Sequence, residues 1–460
     1  MLNELKTKIK ISSNQKNIAK ITSGTLIGQG VTIISLPIIT RIYGAEIIGI
    51  WALLHSIAVI INSFSDLGLT NSIMVDDDAN VEKNYQVITT MSAIISIMAS
   101  IFVTLYCVFA NDRLEMNLIF AFIFLAIMIF TLQQTQLCYT WLNRNKKYNV
   151  LMKNPLINNG VYGLLAIGLG LFGFKTYGYF IGYIIGQVVT LWHMKRNLSG
   201  KMFTLKLQDF KDVIKVNKKF VIYQIPTNVI AKLKSQLPTL LVKAFWGTEM
   251  LGYYSISIRM LQIPSTLLAS AIGRIFFQTV STMKREGKAI GQFVYQNMTR
   301  AMKIAIVPMA LLMAFGDIAA KVFLGEEWAI AGDFIRILAL QYFFAFLMNT
   351  VHGLTITLDK QNYAMISCIA QAVAYAVGAI IGKFVFNNIY IALLLMMALF
   401  IIINITYFCM IFKTMDISRM KYIKNVMFNL MLMLGLSLVL RSSFNVSGLV
   451  DFIYRIFNIR

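Results

Sequence analysis

The sequence predicts an all-α polytopic membrane protein with about 12 transmembrane helices, and two observations carry that prediction. Of its 460 residues 58% are hydrophobic and only 13% charged, with a mean hydropathy of +0.69, a balance that soluble domains do not show. Apolar runs of roughly 20 residues, the length a bilayer demands, recur along the chain, whereas the alternating short segments of an outer-membrane barrel do not.

Taken in order, residues 1–20 form a basic amino-terminal segment, and Ile21 to Thr40 is the first span. No small-residue cleavage site follows it, so it reads as a retained anchor and not as a removed signal peptide. Further spans fall at about 46–66, 86–110, 117–141, 155–174, 177–194, 220–242, 249–274, 300–324, 333–357, 363–386 and 389–412. A weaker thirteenth lies at about 425–440, and the stretch from Arg441 to Arg460 leaves a fourteenth open. The domain organisation that follows is a basic segment (1–20), a six-helix bundle (21–194), a basic linker (195–219), a second six-helix bundle (220–412) and an extra helix with its tail (413–460).

Lysine and arginine set the orientation. With the amino terminus inside, the inside segments hold 28 of the 42 basic residues, and each outside loop holds one: Arg41, Arg113, Lys175, Lys243, Lys321 and Lys383. That asymmetry places the amino terminus in the cytoplasm and accounts for most of the net charge of +22, so the basic balance calls for membrane lipids and not for nucleic acid. Cys107, Cys138, Cys368 and Cys409 lie singly in apolar spans, read as reduced packing residues, and offer no metal-ligand spacing.

The seventh span carries the densest chemistry. A lysine at a bilayer centre costs on the order of 3 kcal/mol, so Lys232 and Lys234 are expected to face a bundle interior or a cavity. Gln224, Asn228, Lys232 and Gln236 recur every four residues and form one polar stripe, with Tyr223 a turn from it and Pro226 and Pro238 bracketing it. Lys232 lies roughly 18 Å from the start of its span and Arg259 about 15 Å into the next, so the two are placed to converge at mid-depth. Lys234, about 200° round the helix from the stripe, ranks second.

The two halves echo each other. Gly44-Ala45-Glu46-Ile47-Ile48-Gly49 recurs at an offset of 203 as Gly247-Thr248-Glu249-Met250-Leu251-Gly252. The same offset lays Thr25, Gln29 and Thr32 of the first span onto Asn228, Lys232 and Ser235 of the seventh, so the polar positions coincide. Six intervening spans give both copies one orientation, the parallel-repeat plan of many secondary transporters, whose substrate site lies between halves near the midplane.

Pro37-Ile38-Ile39-Thr40-Arg41-Ile42-Tyr43-Gly44, the Phe323-Leu324-Gly325-Glu326-Glu327-Trp328 turn before Arg336-Ile337-Leu338, and Asp359-Lys360-Gln361 resemble bacterial polysaccharide flippases. The resemblance runs from about Ile21 to Phe412. It points to the O-antigen and repeat-unit flippases of the multidrug/oligosaccharidyl-lipid/polysaccharide exporter superfamily. What it implies is two bundles around a V-shaped central cavity in the bacterial inner membrane. The cargo it implies is an undecaprenyl-pyrophosphate-linked oligosaccharide, moved to the periplasmic leaflet for O-antigen or other surface polysaccharide synthesis. It also implies a polysaccharide polymerase and a chain-length regulator as partners.

Such a cargo needs fixed cations, because a diphosphate must leave water midway. Lys232, Arg259, Lys234 and Arg41 are the pyrophosphate-binding candidates, and Gln29, Thr25, Asn228, Gln236, Gln224 and Tyr223 the cavity-lining ones. Asp317, Asp66 and His55 are candidates for a coupling ion or an ion pair, with H+ or Na+ coupling left open and no other cofactor expected. Arg274 and Arg336 read as span-end arginines snorkelling to the interface. Gln133, Gln134 and Gln136 with Tyr139 and Trp141 form a weaker amide and aromatic cluster for sugars. Two alternatives remain: a multidrug or small-cation antiporter of the same fold, which calls for acidic cavity groups, and a membrane glycan polymerase, which calls for a large hydrophilic loop or paired carboxylates. Neither feature stands in the sequence, nor does a catalytic triad, so an enzyme is not expected.

Overall fold

The computed structural model describes residues 13–109, 116–198 and 202–444. Most of the basic amino-terminal segment, Arg113, part of the basic linker and the tail beyond 444 lie outside the described residues. Every described element is helical: α1 (Ser13–Ile42), α2 (Ala45–Asn62), α3 (Asp78–Phe109), α4 (Leu118–Arg144), α5 (Tyr148–Leu171), α6 (Gly178–Lys195), α7 (Leu207–Val216), α8 (Lys218–Pro264), α9 (Ser270–Arg285), α10 (Gly291–Leu324), α11 (Ala329–Thr350), α12 (Gln361–Phe384), α13 (Ile389–Lys413) and α14 (Arg419–Ser443), joined by short turns and single helical turns. A chain in a bilayer must satisfy its backbone within each segment, and helices do so. Polar residues start several of them. Asn117 accepts from the amides of Ile119 and Phe120, and Asn388 from those of Tyr390 and Ile391, filling the first-turn donors that a helix leaves open.

Among the described residues ten helical stretches are long and apolar enough to cross a membrane, making this a multi-pass membrane protein. The number differs from twelve for three reasons. The expected seventh and eighth spans form one continuous path, Lys218–Arg285. Its interior break is a single residue, Gly247, whose φ of 87° only glycine adopts without strain. The expected fifth and sixth spans are helices α5 and α6, but asparagines (Asn154, Asn158, Asn159) and glycines dilute their apolar character, and both are used for helix packing. The weak thirteenth span is a full helix, α14.

The chain divides into two compact units: one runs to Tyr43 and resumes over Ile57–Val229, and the other comprises Gly44–Ser56 and the chain from Ile230 on. Unit 1 packs α1 on α5, α5 on α6 and α3 on α4. Backbones touch in the first of these: a Cβ on Gly24 would lie 1.9 Å from the Met152 carbonyl oxygen, and one on Gly28 2.7 Å from Pro155. Asn159 donates to the Gly28 carbonyl (2.9 Å) and the Tyr43 hydroxyl to that of Ala166 (2.7 Å). Unit 2 packs α10 on α11 and α14, and α12 on α13.

Within unit 2 the two copies of the repeated motif meet. A Cβ on Gly49 would lie 2.0 Å from the Thr248 oxygen, and one on Gly252 1.8 Å from the Ala45 oxygen. Ala45 and Thr248 are equivalent under the 203-residue offset, as are Gly49 and Gly252, so the contact is reciprocal. Small residues four apart let membrane helices approach to backbone distance. Replacing Gly252 by Val should therefore lower the thermal unfolding midpoint of the detergent-solubilised protein, with an overpacking cost of about 1–3 kcal/mol. Gly30→Ala, where an added Cβ meets nothing within 4 Å, should leave the midpoint in place.

Candidate functional site

The close approach of α2 and α8 positions a basic cluster in unit 2. Trp51 and His55, one turn apart on α2, stack with ring centroids 4.8 Å apart and planes at 17°. The Arg259 guanidinium lies 4.5 Å from the centroid of the Trp51 ring, a cation–π contact of about 0.5–2 kcal/mol. Lys232 and Arg259 both lie within electrostatic reach of His55. Lys232 is exposed on α8 and Arg259 half-buried. Arg259 and His55, from two helices, thus both lie against one indole.

Lys234 serves another place in the same unit. Its ammonium donates to the Gln371 side-chain oxygen (3.1 Å), and among the described residues it pairs with no carboxylate. It lines a cavity of about 440 Å³ with Gln236, Gln262, Gln341, Gln371 and Tyr375 among its walls. Gln341 donates to the Tyr375 hydroxyl (3.1 Å), and Gln371 to the Ser367 hydroxyl (3.0 Å). At one wall the helix loosens into a π-turn, Ser265–Ala269, directly after Pro264. Such turns are frequent at functional sites.

The remaining expected site residues are dispersed. In unit 1, Thr25 bonds back to the Ile21 carbonyl, Gln29, Gln224 and Asn228 are half-buried, and Tyr223 and Arg41 are exposed. Asp66 is buried and accepts from the amides of Gly68 (2.9 Å) and Thr70 (3.1 Å), tying the turn that follows α2. Two glutamines of the expected sugar cluster are used for packing, Gln133 donating to Thr70 (2.8 Å) and Gln134 to Ser92 (3.2 Å), both fully buried, while Gln136 is exposed.

Asp317 lies in unit 2 between two arginines. Arg441 of α14 grips it through two nitrogens (3.0 and 2.9 Å) and also donates to the Ala314 carbonyl, while Arg336 of α11 approaches to 3.8 Å. Arg336 is 4% exposed, so it does not snorkel as its span-end position suggested. Its guanidinium points inward because the Asp317 carboxylate stands there.

Trp51 and the cavity residues Gln262, Gln341, Gln371 and Tyr375 escaped sequence reading. They come from α2, α8, α11 and α12, so their grouping depends on how four helices pack. The one local signal is Gln371 with Tyr375, four apart and so on one face of α12.

Known proteins give this geometry its context. Residues 38–333 match a polysaccharide biosynthesis protein family. The teichuronic acid biosynthesis protein TuaB of Bacillus subtilis (strain 168) is 24% identical over 296 residues, covering 62% of this chain and 59% of that protein. The succinoglycan biosynthesis transport protein ExoT of Rhizobium meliloti (strain 1021) is 21% identical over 373 residues, covering 77% and 72%. Among solved structures, the lipid II flippase MurJ in an inward closed conformation matches with a TM-score of 0.69 at 12% identity, covering 92% of this chain and 99% of that one. An inward-facing multidrug transporter of the MATE family matches at 0.56 and 13%, covering 86% and 95%. These likenesses establish the fold, and they agree with the polysaccharide-flippase resemblance carried by the sequence motifs.

The Asp317 cluster is the part of unit 2 whose energetics can be read directly. Asp317→Asn should strand two buried guanidinium groups, cost about 3–5 kcal/mol and raise hydrogen exchange in α14. Asp359→Asn, which removes an exposed pair with Lys284, should cost at most about 1 kcal/mol.

Proposed function

We propose a function from one premise: the chain belongs to the polysaccharide biosynthesis protein family. It is a flippase that moves undecaprenyl-pyrophosphate-linked oligosaccharide repeat units from the cytoplasmic to the periplasmic leaflet of the bacterial inner membrane, with its amino terminus in the cytoplasm. The observation that carries this reading is the meeting of Arg259 and His55 on Trp51, with the exposed Lys232 on the same helix as Arg259. Each deep cation costs on the order of 3 kcal/mol without a partner. A phosphate oxygen at 4 Å returns about 4 kcal/mol per charge pair at an effective dielectric of 20. The diphosphate therefore gains most where the protein has already met the cost of the cations.

The transport cycle is alternating access. The segments 21–194 and 220–412 rock against each other while Lys232 and Arg259 hold the phosphates, and the polyprenyl tail stays in lipid. Pro226 and Pro238 lend α8 the freedom to bend. Teichuronic acid and succinoglycan, in the names of two relatives, and lipid II, in that of a structural neighbour, support a glycan cargo. A polysaccharide polymerase and a chain-length regulator are the partners this function calls for. The drug-antiporter alternative fits less well, because the cluster about Trp51 is basic.

In a deletion strain complemented with this chain, Lys232→Ala and Arg259→Gln should each bring surface glycan to background while the protein stays in the membrane, with lipid-linked units trapped on the cytoplasmic face. Wild-type display in both variants would defeat the cation site. Unchanged glycan with impaired dye efflux in the deletion strain itself would favour the antiporter.

A further inference from the structure

We infer that the Lys234 cavity is a recognition site for an anionic sugar, a ring bearing a carboxylate such as a uronate, within the glycan that the protein moves. The inference rests on the glycan-transport reading above and assigns this cavity a role separate from that of the cations about Trp51.

The cavity's walls carry one positive charge and no acidic residue. Among the described residues Lys234 is met by a neutral amide oxygen and by no carboxylate, so the cavity holds a net charge that a bound anion would neutralise. Around it stand groups that suit hydroxyls. Gln236, Gln262 and Asn349 bring amides that both donate and accept, and Gln262 and Asn349 are exposed toward its mouth. Ser265 is only 5% exposed and its hydroxyl has no hydrogen-bond partner, at the π-turn where the helix wall opens. The Tyr375 ring, stacked on Phe400 at 5.9 Å, is fixed in place and also anchors Gln341. A volume of about 440 Å³ falls within the range of small-ligand pockets. A diphosphate alone would leave the amides and tyrosines unused, and a neutral sugar would leave the lysine unanswered. A sugar carboxylate uses both.

The architecture explains why unit 2 has such a space. In unit 1, Gly24 and Gly28 let α1 lie backbone to backbone on α5. The 203-residue offset puts Thr227 and Ala231 at these positions of α8. α8 and α12 are joined instead through side chains, by Lys234 with Gln371 and by Cys368 with the Ile230 carbonyl (4.0 Å).

The test uses the purified full-length protein, its thermal unfolding followed against sodium glucuronate, glucose and sodium pyrophosphate. Glucuronate should stabilise the wild type with an apparent affinity about tenfold or more above that of glucose. Lys234→Gln should remove that preference and Lys234→Arg retain it. Gln341→Glu, which places the missing counter-charge inside the cavity, should also remove it, and so guards against a folding defect in the lysine variant. Equal responses to glucose and glucuronate, or a Lys234-dependent response to pyrophosphate alone, would overturn the assignment. Binding is read here without transport, which separates the two proposals. If glucuronate gives no response while Arg259→Gln abolishes glycan display, the cavity assignment alone falls. If glucuronate binds through Lys234 but deletion of the protein leaves surface glycan intact, the flippase reading falls and the cavity stands.

Discussion

A charge carried into a bilayer has to be answered there, by an opposite charge, by dipoles or by water, and much of this structure follows from how each deep charge is answered. Asp317 has two guanidinium groups against it. That arrangement draws α10, α11 and α14 to one point and gives α14 a polar anchor that apolar surfaces in lipid would not supply, since lipid tails are as apolar as the helix faces. Arg259 is met by the face of an indole, and Lys234 by a glutamine oxygen. The single amide compensates least, and it leaves the Lys234 charge to be matched by something that arrives.

Close approach is the second constraint. The reciprocal contact of Gly49 with Thr248 and of Gly252 with Ala45 brings α2 and α8 near enough for Trp51 to lie under Arg259. With a larger residue at either glycine the helices would stand further apart, and the ring and the guanidinium would separate. The repeat therefore does more than record an internal duplication. It sets the spacing on which the basic cluster depends.

Hydropathy made the helical class and nearly every helix legible in the sequence, because a run of roughly 20 apolar residues has few other uses. The motif echo was legible too, and the structure gave it a physical meaning as a contact. Three things were not. Gly247 looked like a loop between two spans, but one residue at φ 87° completes the break, so the path stays helical on both sides. The burial of Arg336 depends on Asp317, nineteen positions earlier on another helix, and no local pattern in α11 announces it. The glutamine-rich cavity is assembled from isolated positions on several helices. A stripe at four-residue spacing within one helix, such as Gln224 to Gln236, is visible to periodicity; a ring of single residues across helices is not.

That limit explains why Lys232 and Lys234, two residues apart, belong to different environments. About 200° separates their directions on the helix, so α8 presents one to the α2 side and the other to α12. A single helix thereby serves two sites, and the chemistry of each is set by what the other helices bring: an indole and an imidazole in one case, amides and tyrosines in the other. The lipid-linked glycan proposed as cargo has two chemically distinct parts, a diphosphate and a sugar, and under that proposal the two lysines of α8 would each address one of them. The duplicated motif alone could not have produced this division, because the first half carries Gln29 and Val31 where the second carries Lys232 and Lys234.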